Sequence, residues 1–212
     1  MYTPPHFRED DLTALQTLLA AGGLCNLVTA TADGLVATPL PMILAPDEGE
    51  RGVLYGHIAR ANPQWQAMPA GEGLAIFMGP DAYISPSWYA NKPIDGKVVP
   101  TWNYVALHVY GPVEYFDDSE RLLDVVTRLT NRHEGTRGAP WAVSDAPADF
   151  IASQLRGIIG VRLPITRIDA KKKMSQNRSA EDRNNVAKGL QDSERDSDRA
   201  AGKLVGETIA GL

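Results

Sequence analysis

The stretch that decides the fold is Tyr55-Gly56-His57-Ile58-Ala59-Arg60-Ala61-Asn62-Pro63-Gln64-Trp65. A strand finishes at His57. Arg60 follows, and Asn62-Pro63 opens a helix over residues 62–68 whose first N–H groups have no partner. A strand end, a basic residue and a helix start together suit a phosphate, with Arg60 as the bidentate charge and Asn62 as amide contact and cap. The same letters also read as an ordinary helix start beside a solvated arginine. Two further clusters mix aromatic with polar side chains: residues 81–89, with Tyr83, Ser85, Ser87, Trp88 and Tyr89, and residues 99–104, with Thr101, Trp102, Asn103 and Tyr104. A plain core favours Leu, Ile, Val and Ala. A pocket for a flat, polar-edged ligand needs aromatic walls and a few convergent hydrogen-bonding groups. The competing reading is a packed aromatic corner.

Outward from that stretch the chain reads as alternating strands and helices. Asp10 or Asp11 caps a helix over 12–21, with leucines at 12, 15, 18 and 19 on one face, and Gly22-Gly23 ends it. Strands are expected at 24–31, 35–44, 53–58, 73–78 (with a short continuation at 82–85), 101–116 and 158–168. Helices are expected at 119–131 and 147–156, and a loop at 91–99. Pro39 and Pro41 cannot donate ladder bonds, so the strand over 35–44 is expected either at a sheet edge or with its backbone turned to a ligand. The open polar groups around Ala37-Thr38-Pro39-Leu40-Pro41 match the donors and acceptors along one edge of an isoalloxazine ring; an edge protected against aggregation fits equally well. Beyond Ser175 the sequence turns polar. Ser179-Ala180-Glu181-Asp182 is a capping-box pattern, and two helices parted near Asp192 follow. The order predicts an α+β barrel.

Composition excludes several classes. At 212 residues, 43% hydrophobic and 22% charged, the chain is of ordinary globular type. It has no apolar run of about 18 residues, hence no expected membrane span, and its opening lacks the layout of a secretory leader. One cysteine, Cys25, rules out an intrachain disulfide framework and a cysteine zinc site; it reads as a small buried residue, and the cytoplasm is the expected compartment. His6, His57, His108 and His133 are scattered, so no metal is expected. The common catalytic and phosphate-loop signatures are absent. A net charge of −5 argues against an electrostatically driven nucleic-acid binder. A basic run from Arg162 to Arg183 (Arg162, Arg167, Lys171, Lys172, Lys173, Arg178, Arg183) is the place where DNA would bind, if any does.

Five motifs in order carry a resemblance: Met1-Tyr2-Thr3-Pro4-Pro5-His6-Phe7, residues 57–65, residues 81–89, Val99-Pro100-Thr101-Trp102-Asn103-Tyr104, and Lys173-Met174-Ser175-Gln176-Asn177-Arg178. Together they resemble the PaiB-type FMN-binding negative transcriptional regulators over residues 1 to 190. The resemblance implies an FMN-binding split β-barrel with peripheral helices, related to pyridoxamine-phosphate oxidases, over 1–190, with a helical tail over 191–212. It implies a homodimer with the flavin at the subunit interface. It sets Thr38, Pro39 and Leu40 along the flavin, His57 and Ile58 at the strand end beside it, and Arg60 and Asn62 at the phosphate. Trp88, Trp102 and Asn103 close the site, and Ser175, Gln176 and Arg178 form a second polar set. On this reading Arg60→Ala weakens FMN binding by about 1.5–3 kcal/mol. The alternatives are a flavin-dependent oxidoreductase, with His57 or Tyr83 as proton donor, and a haem-binding split barrel ligated by His108.

Overall fold

The computed structural model describes residues 1–67 and 69–210. In chain order its elements are β1 (Arg8–Glu9), α1 (Leu12–Ala21), β2 (Leu24–Thr31), β3 (Gly34–Ala45), β4 (Val53–Ala59), β5 (Gly73–Ile84), β6 (Thr101–Gly111), β7 (Glu114–Phe116), α2 (Ser119–Glu134), α3 (Ala148–Leu155), β8 (Ile158–Pro164), β9 (Arg167–Lys173), α4 (Ala180–Gln191) and α5 (Asp196–Ala210). The chain divides into two compact units. A terminal unit comprises Met1–Asp10, Met78–Leu107 and Asp169–Leu212, and a central unit comprises Asp11–Phe77 and His108–Ile168.

In the central unit the strand order is β5-β2-β3-β4-β8-β7, and the pairings are antiparallel. Asp11 starts α1 by accepting the Ala14 N–H at 2.8 Å, and Leu15 and Leu19 bury its inner face. β2 and β3 form a hairpin closed at Thr31↔Gly34, where Gly34 takes φ 118°. Ile43, Phe116, Leu122, Val125, Leu129 and Leu155 form one core cluster beneath α2 and α3. In the terminal unit the order is β1-β9-β6-β5. Here α4 and α5 pack closely enough that a Cβ on Gly202 would stand 3.0 Å from Leu190.

Four expectations need correction. The helix expected over 62–68 is a three-residue 3-10 turn, Pro63–Trp65 (Met68 lies outside the described residues). The long strand expected over 101–116 breaks into β6 and β7 around Pro112, which has no N–H to give a ladder. The last strand, expected over 158–168, breaks into β8 and β9, because the Ile165 and Thr166 N–H groups go to the Gly52 and Tyr110 carbonyls instead. Finally, β3 is not an edge along its whole length. Residues 34–41 pair with β2 on one side only, whereas Met42–Ala45 also pair with β4.

Candidate functional site

The predicted site residues fall into two groups, one in each unit. In the central unit, β3 and β4 are in register at Met42↔Gly56, so His57 comes opposite Pro41, where the ladder opens. From there toward Gly34 the edge of β3 facing away from β2 carries no strand. The 3-10 turn after β4 reaches back to this open edge. Asn62 Nδ2 donates to Thr38 Oγ1 at 2.8 Å, and Asn62 Oδ1 caps the turn by accepting the Gln64 N–H at 2.9 Å. Gln64, which sequence reasoning passed over, is 1% exposed and holds the hairpin from inside. Its Nε2 lies 3.1 Å from the Leu27 carbonyl, 3.0 Å from Thr29 Oγ1 and 3.4 Å from the Val36 carbonyl. Its place in Asn62-Pro63-Gln64-Trp65 was the only available signal.

Thr38 is half-buried, Pro39 exposed, and Leu40 and Ile58 buried in the core. His57 Nδ1 is buried without a hydrogen-bond partner, and burial pushes the imidazole pKa down, so the ring is held neutral. Arg60 is engaged within the protein. Its Nε donates to the Arg156 carbonyl at 2.7 Å and its guanidinium stands 3.4 Å from Asp117, while its own carbonyl accepts Trp65 Nε1–H at 2.8 Å. The three-residue turn offers no helix N-terminus to an anion. Cys25 is buried, its thiol pushed up to about 12 by burial, and is chemically quiet.

In the terminal unit, Asn103 is fully buried and its side chain pairs with Ser175 Oγ at 3.0 Å. Among the described residues Ser175 is the one non-glycine with left-handed backbone, φ 63°. Gln176 is spent locally: its Oε1 accepts the Met174 N–H at 2.6 Å and its Nε2 donates to the Lys172 carbonyl. Trp88 lies on α4, where a Cβ on Gly189 would come within 2.4 Å of its indole. Of this group only Trp102 is exposed; Trp88, Gln176 and Arg178 are half-buried. Trp102 is 48% exposed and meets Tyr83 edge-on at 6.1 Å; Arg178 stacks over the Tyr89 ring at 4.4 Å.

The basic run over 162–183 is not one continuous face. Arg162 binds Glu114 and Tyr55, Arg167 covers the Tyr110 ring, Lys172 pairs with Glu207, and Arg183 donates to the Thr208 carbonyl. His108 is half-buried on β6 beside Tyr110. Among the described residues no cluster of three or more His, Cys, Asp or Glu is arranged to hold a metal, and no helix is long and apolar enough to cross a membrane.

Solved flavoproteins share this architecture. A FAD- and haem-binding protein from Mycobacterium smegmatis superposes with TM-score 0.56 at 15% identity, over 78% of this chain and 73% of that one. A flavocytochrome from Azotobacter vinelandii superposes with TM-score 0.53 at 12% identity, over 78% and 69%. At these identities the likeness defines the fold, an α+β split β-barrel of the flavin-binding type with peripheral helices. Residues 1–167 match the family described as "Putative FMN-binding domain", and the chain belongs to that FMN-binding family. The Bacillus subtilis protein "Protease synthase and sporulation protein PAI 2" is 31% identical over 210 residues, covering 99% of this chain and 98% of the relative. An uncharacterised protein of Emericella nidulans is also 31% identical, over 243 residues.

Proposed function

We propose that the protein is a cytoplasmic PaiB-type regulator that holds FMN at the interface between two copies of the chain. The observation that carries the reading is the open edge of β3 between Gly34 and Pro41, with the neutral His57 where the β4 ladder stops. The residues fit the group. An isoalloxazine edge needs hydrogen-bonding partners in a row, and a strand laddered on one side only supplies them. Thr38, Pro39 and Leu40 would line the ring, and His57 and Ile58 would stand at its end. Asn62 would steady Thr38, and Arg60 would serve the phosphate on release from Asp117. Trp102 and Arg178, backed by Trp88, Asn103, Ser175 and Gln176, would come from the second copy. When bound, the flavin supplies hydride and electron transfer, while the protein orients it and limits access of water.

A second copy is favoured by the outward face of the hairpin and β5. Leu24, Val28, Leu35, Pro39, Leu74 and Ile76 share that face with one exposed amide, Asn26, and no charge among them, and Leu24 and Leu35 are 68% and 77% exposed. An antiparallel sheet facing water alternates apolar with polar residues, and a contiguous apolar patch of this kind marks a protein interface. The reading that includes DNA rests on the resemblance alone. The test is visible absorption of the purified protein after FMN addition and desalting. Retained flavin bands at roughly one FMN per chain support the reading; their loss removes it. Steady-state oxidation of a reduced nicotinamide by the loaded protein would favour the oxidoreductase instead.

A further inference from the structure

β9 and the turn after it gather three cations, Lys171 and Lys173 on the strand and Arg178 on the turn, in a chain whose net charge is −5. Lys171 and Lys173 donate to neutral oxygens and Arg178 stacks over Tyr89, a ring that Asp182 also faces, whereas the neighbouring Lys172 finds Glu207 at 3.6 Å. Lys173 Nζ donates to Thr101 Oγ1 at 2.6 Å and to the Trp102 carbonyl at 2.7 Å, both neutral, so one of its three N–H bonds remains to give. Lys171 is 9% exposed and donates to the Tyr2 carbonyl at 3.3 Å; its ammonium lies 5.3 Å from the Tyr104 ring and 5.7 Å from the Tyr2 ring. Burial, with repulsion from Lys171 and Arg178 added, holds the Lys173 ammonium below the usual lysine range. Gathering like charges against a desolvated lysine costs the free protein stability, and an anion placed among them removes that cost.

A second observation points the same way. Ser175 adopts φ 63°, and the turn it makes closes with the Arg178 N–H on the Ser175 carbonyl at 2.9 Å. A strained serine, fixed by the buried Asn103, thus turns the chain back between Lys173 and Arg178. The residue whose carbonyl takes Lys173, Trp102, carries a ring that is 48% exposed and meets the 46% exposed Tyr83 edge-on at 6.1 Å.

We propose that Lys171, Lys173 and Arg178 bind the phosphate of a phosphate monoester whose flat ring lies on Trp102 and Tyr83. This site shares Trp102 and Arg178 with the FMN reading: the monoester is either FMN itself, its phosphate then held here rather than at Arg60, or a second phosphorylated ring. A single-stranded nucleic acid also pairs phosphates with stacked rings, but two lysines at the end of β9 and one arginine on the turn after it offer no track for a backbone.

The test titrates phenyl phosphate, inorganic phosphate and phenol into the full chain, followed by tryptophan fluorescence and calorimetry. The expected result is saturable binding of phenyl phosphate, weaker binding of inorganic phosphate and none of phenol. Lys173→Gln should lower phenyl phosphate affinity tenfold or more, and Lys173→Arg should restore most of it. Unchanged urea midpoints in both variants would show that the loss is not unfolding. FMN and riboflavin titrations then separate the sources. If Lys173→Gln weakens FMN but not riboflavin, the phosphate is the flavin's own. If it weakens phenyl phosphate but neither flavin, the site serves a second phosphorylated ring. No saturable binding, or equal affinity in wild type and Lys173→Gln, overturns the proposal. So does displacement of phenyl phosphate by submicromolar oligothymidylate with a steep salt dependence, which would give the surface to nucleic acid.

Discussion

Two polar turns follow two strands, and they treat charge in opposite ways. After β4, Arg60 is tied to the Arg156 carbonyl and Asp117, and Asn62 and Gln64 give their amides to the β2–β3 hairpin. At the end of β9 and in the turn after it, Lys171 and Lys173 donate to neutral oxygens and Arg178 stacks over an aromatic face. The first turn spends its donors on its own protein and stiffens it, although Gln64 Oε1 is buried without a partner. The second is satisfied internally at its uncharged residues, Asn103, Ser175 and Gln176, and left unpaired at its charged ones. A cluster that is complete by itself contributes stability; one left short of counter-charge is poised for a ligand.

The largest expected effects are on stability, beginning with the first turn. Gln64→Leu removes the two N–H donors that Gln64 shares among the Leu27 carbonyl, Thr29 Oγ1 and the Val36 carbonyl, and should lower unfolding free energy by about 2 kcal/mol, read by urea denaturation. A loss below about 1 kcal/mol would show that the turn does not hold the hairpin. For the second turn, Asn103→Ala should cost about 2 kcal/mol by the same assay. Ser175→Gly should be close to neutral, since relief of the left-handed backbone offsets the lost hydroxyl contact. If Ser175→Gly cost as much as Asn103→Ala, the serine would be no reservoir of strain.

The next effect is in pH. Burial depresses the folded pKa of His57 below its unfolded value of about 6.5, so the unfolded chain binds more protons in the interval between them. The stability held by the neutral imidazole is present above that interval and lost as pH falls through it. Urea midpoints should therefore drop as pH falls from neutral through and below the unfolded value, and less steeply in His57→Gln. Equal slopes would assign the acid loss to other groups. The smallest effects lie at Arg60. Arg60→Ala should cost about 1 kcal/mol, mostly through the Arg156 carbonyl. Asp117→Asn should cost less than about 0.5 kcal/mol, because that ion pair is open to water.

Much of this was legible from the letters. Leucine spacing and Asp11 give α1, and residues 24–31 read as a strand, but as a buried one, whereas the structure buries only Cys25, Leu27 and Thr29 and leaves the other face open. The breaks at Pro112 and at Ile165-Thr166 depend on which carbonyls come within reach of particular N–H groups, and no local pattern records that. The site was half legible. Asn62 was read as a cap and is one, but Arg60 looked available because Asp117 and the Arg156 carbonyl, distant in sequence, were invisible to local reading. Conversely, the lysines at 171 and 173 looked like members of a solvated basic run. Only the strand register, which turns Lys172 to Glu207 and leaves its neighbours unpaired, separates them.

The most direct test of the central reading is sedimentation of the FMN-loaded protein followed at the visible flavin absorbance. If two copies hold the flavin between them, the flavin signal travels at the mass of a dimer with roughly one FMN per chain. In Val28→Glu, which puts a charge on the uncharged sheet face, dimer and flavin signal should be lost together. A flavin boundary that moves with a monomer, or that survives Val28→Glu unchanged, would contradict an interface site.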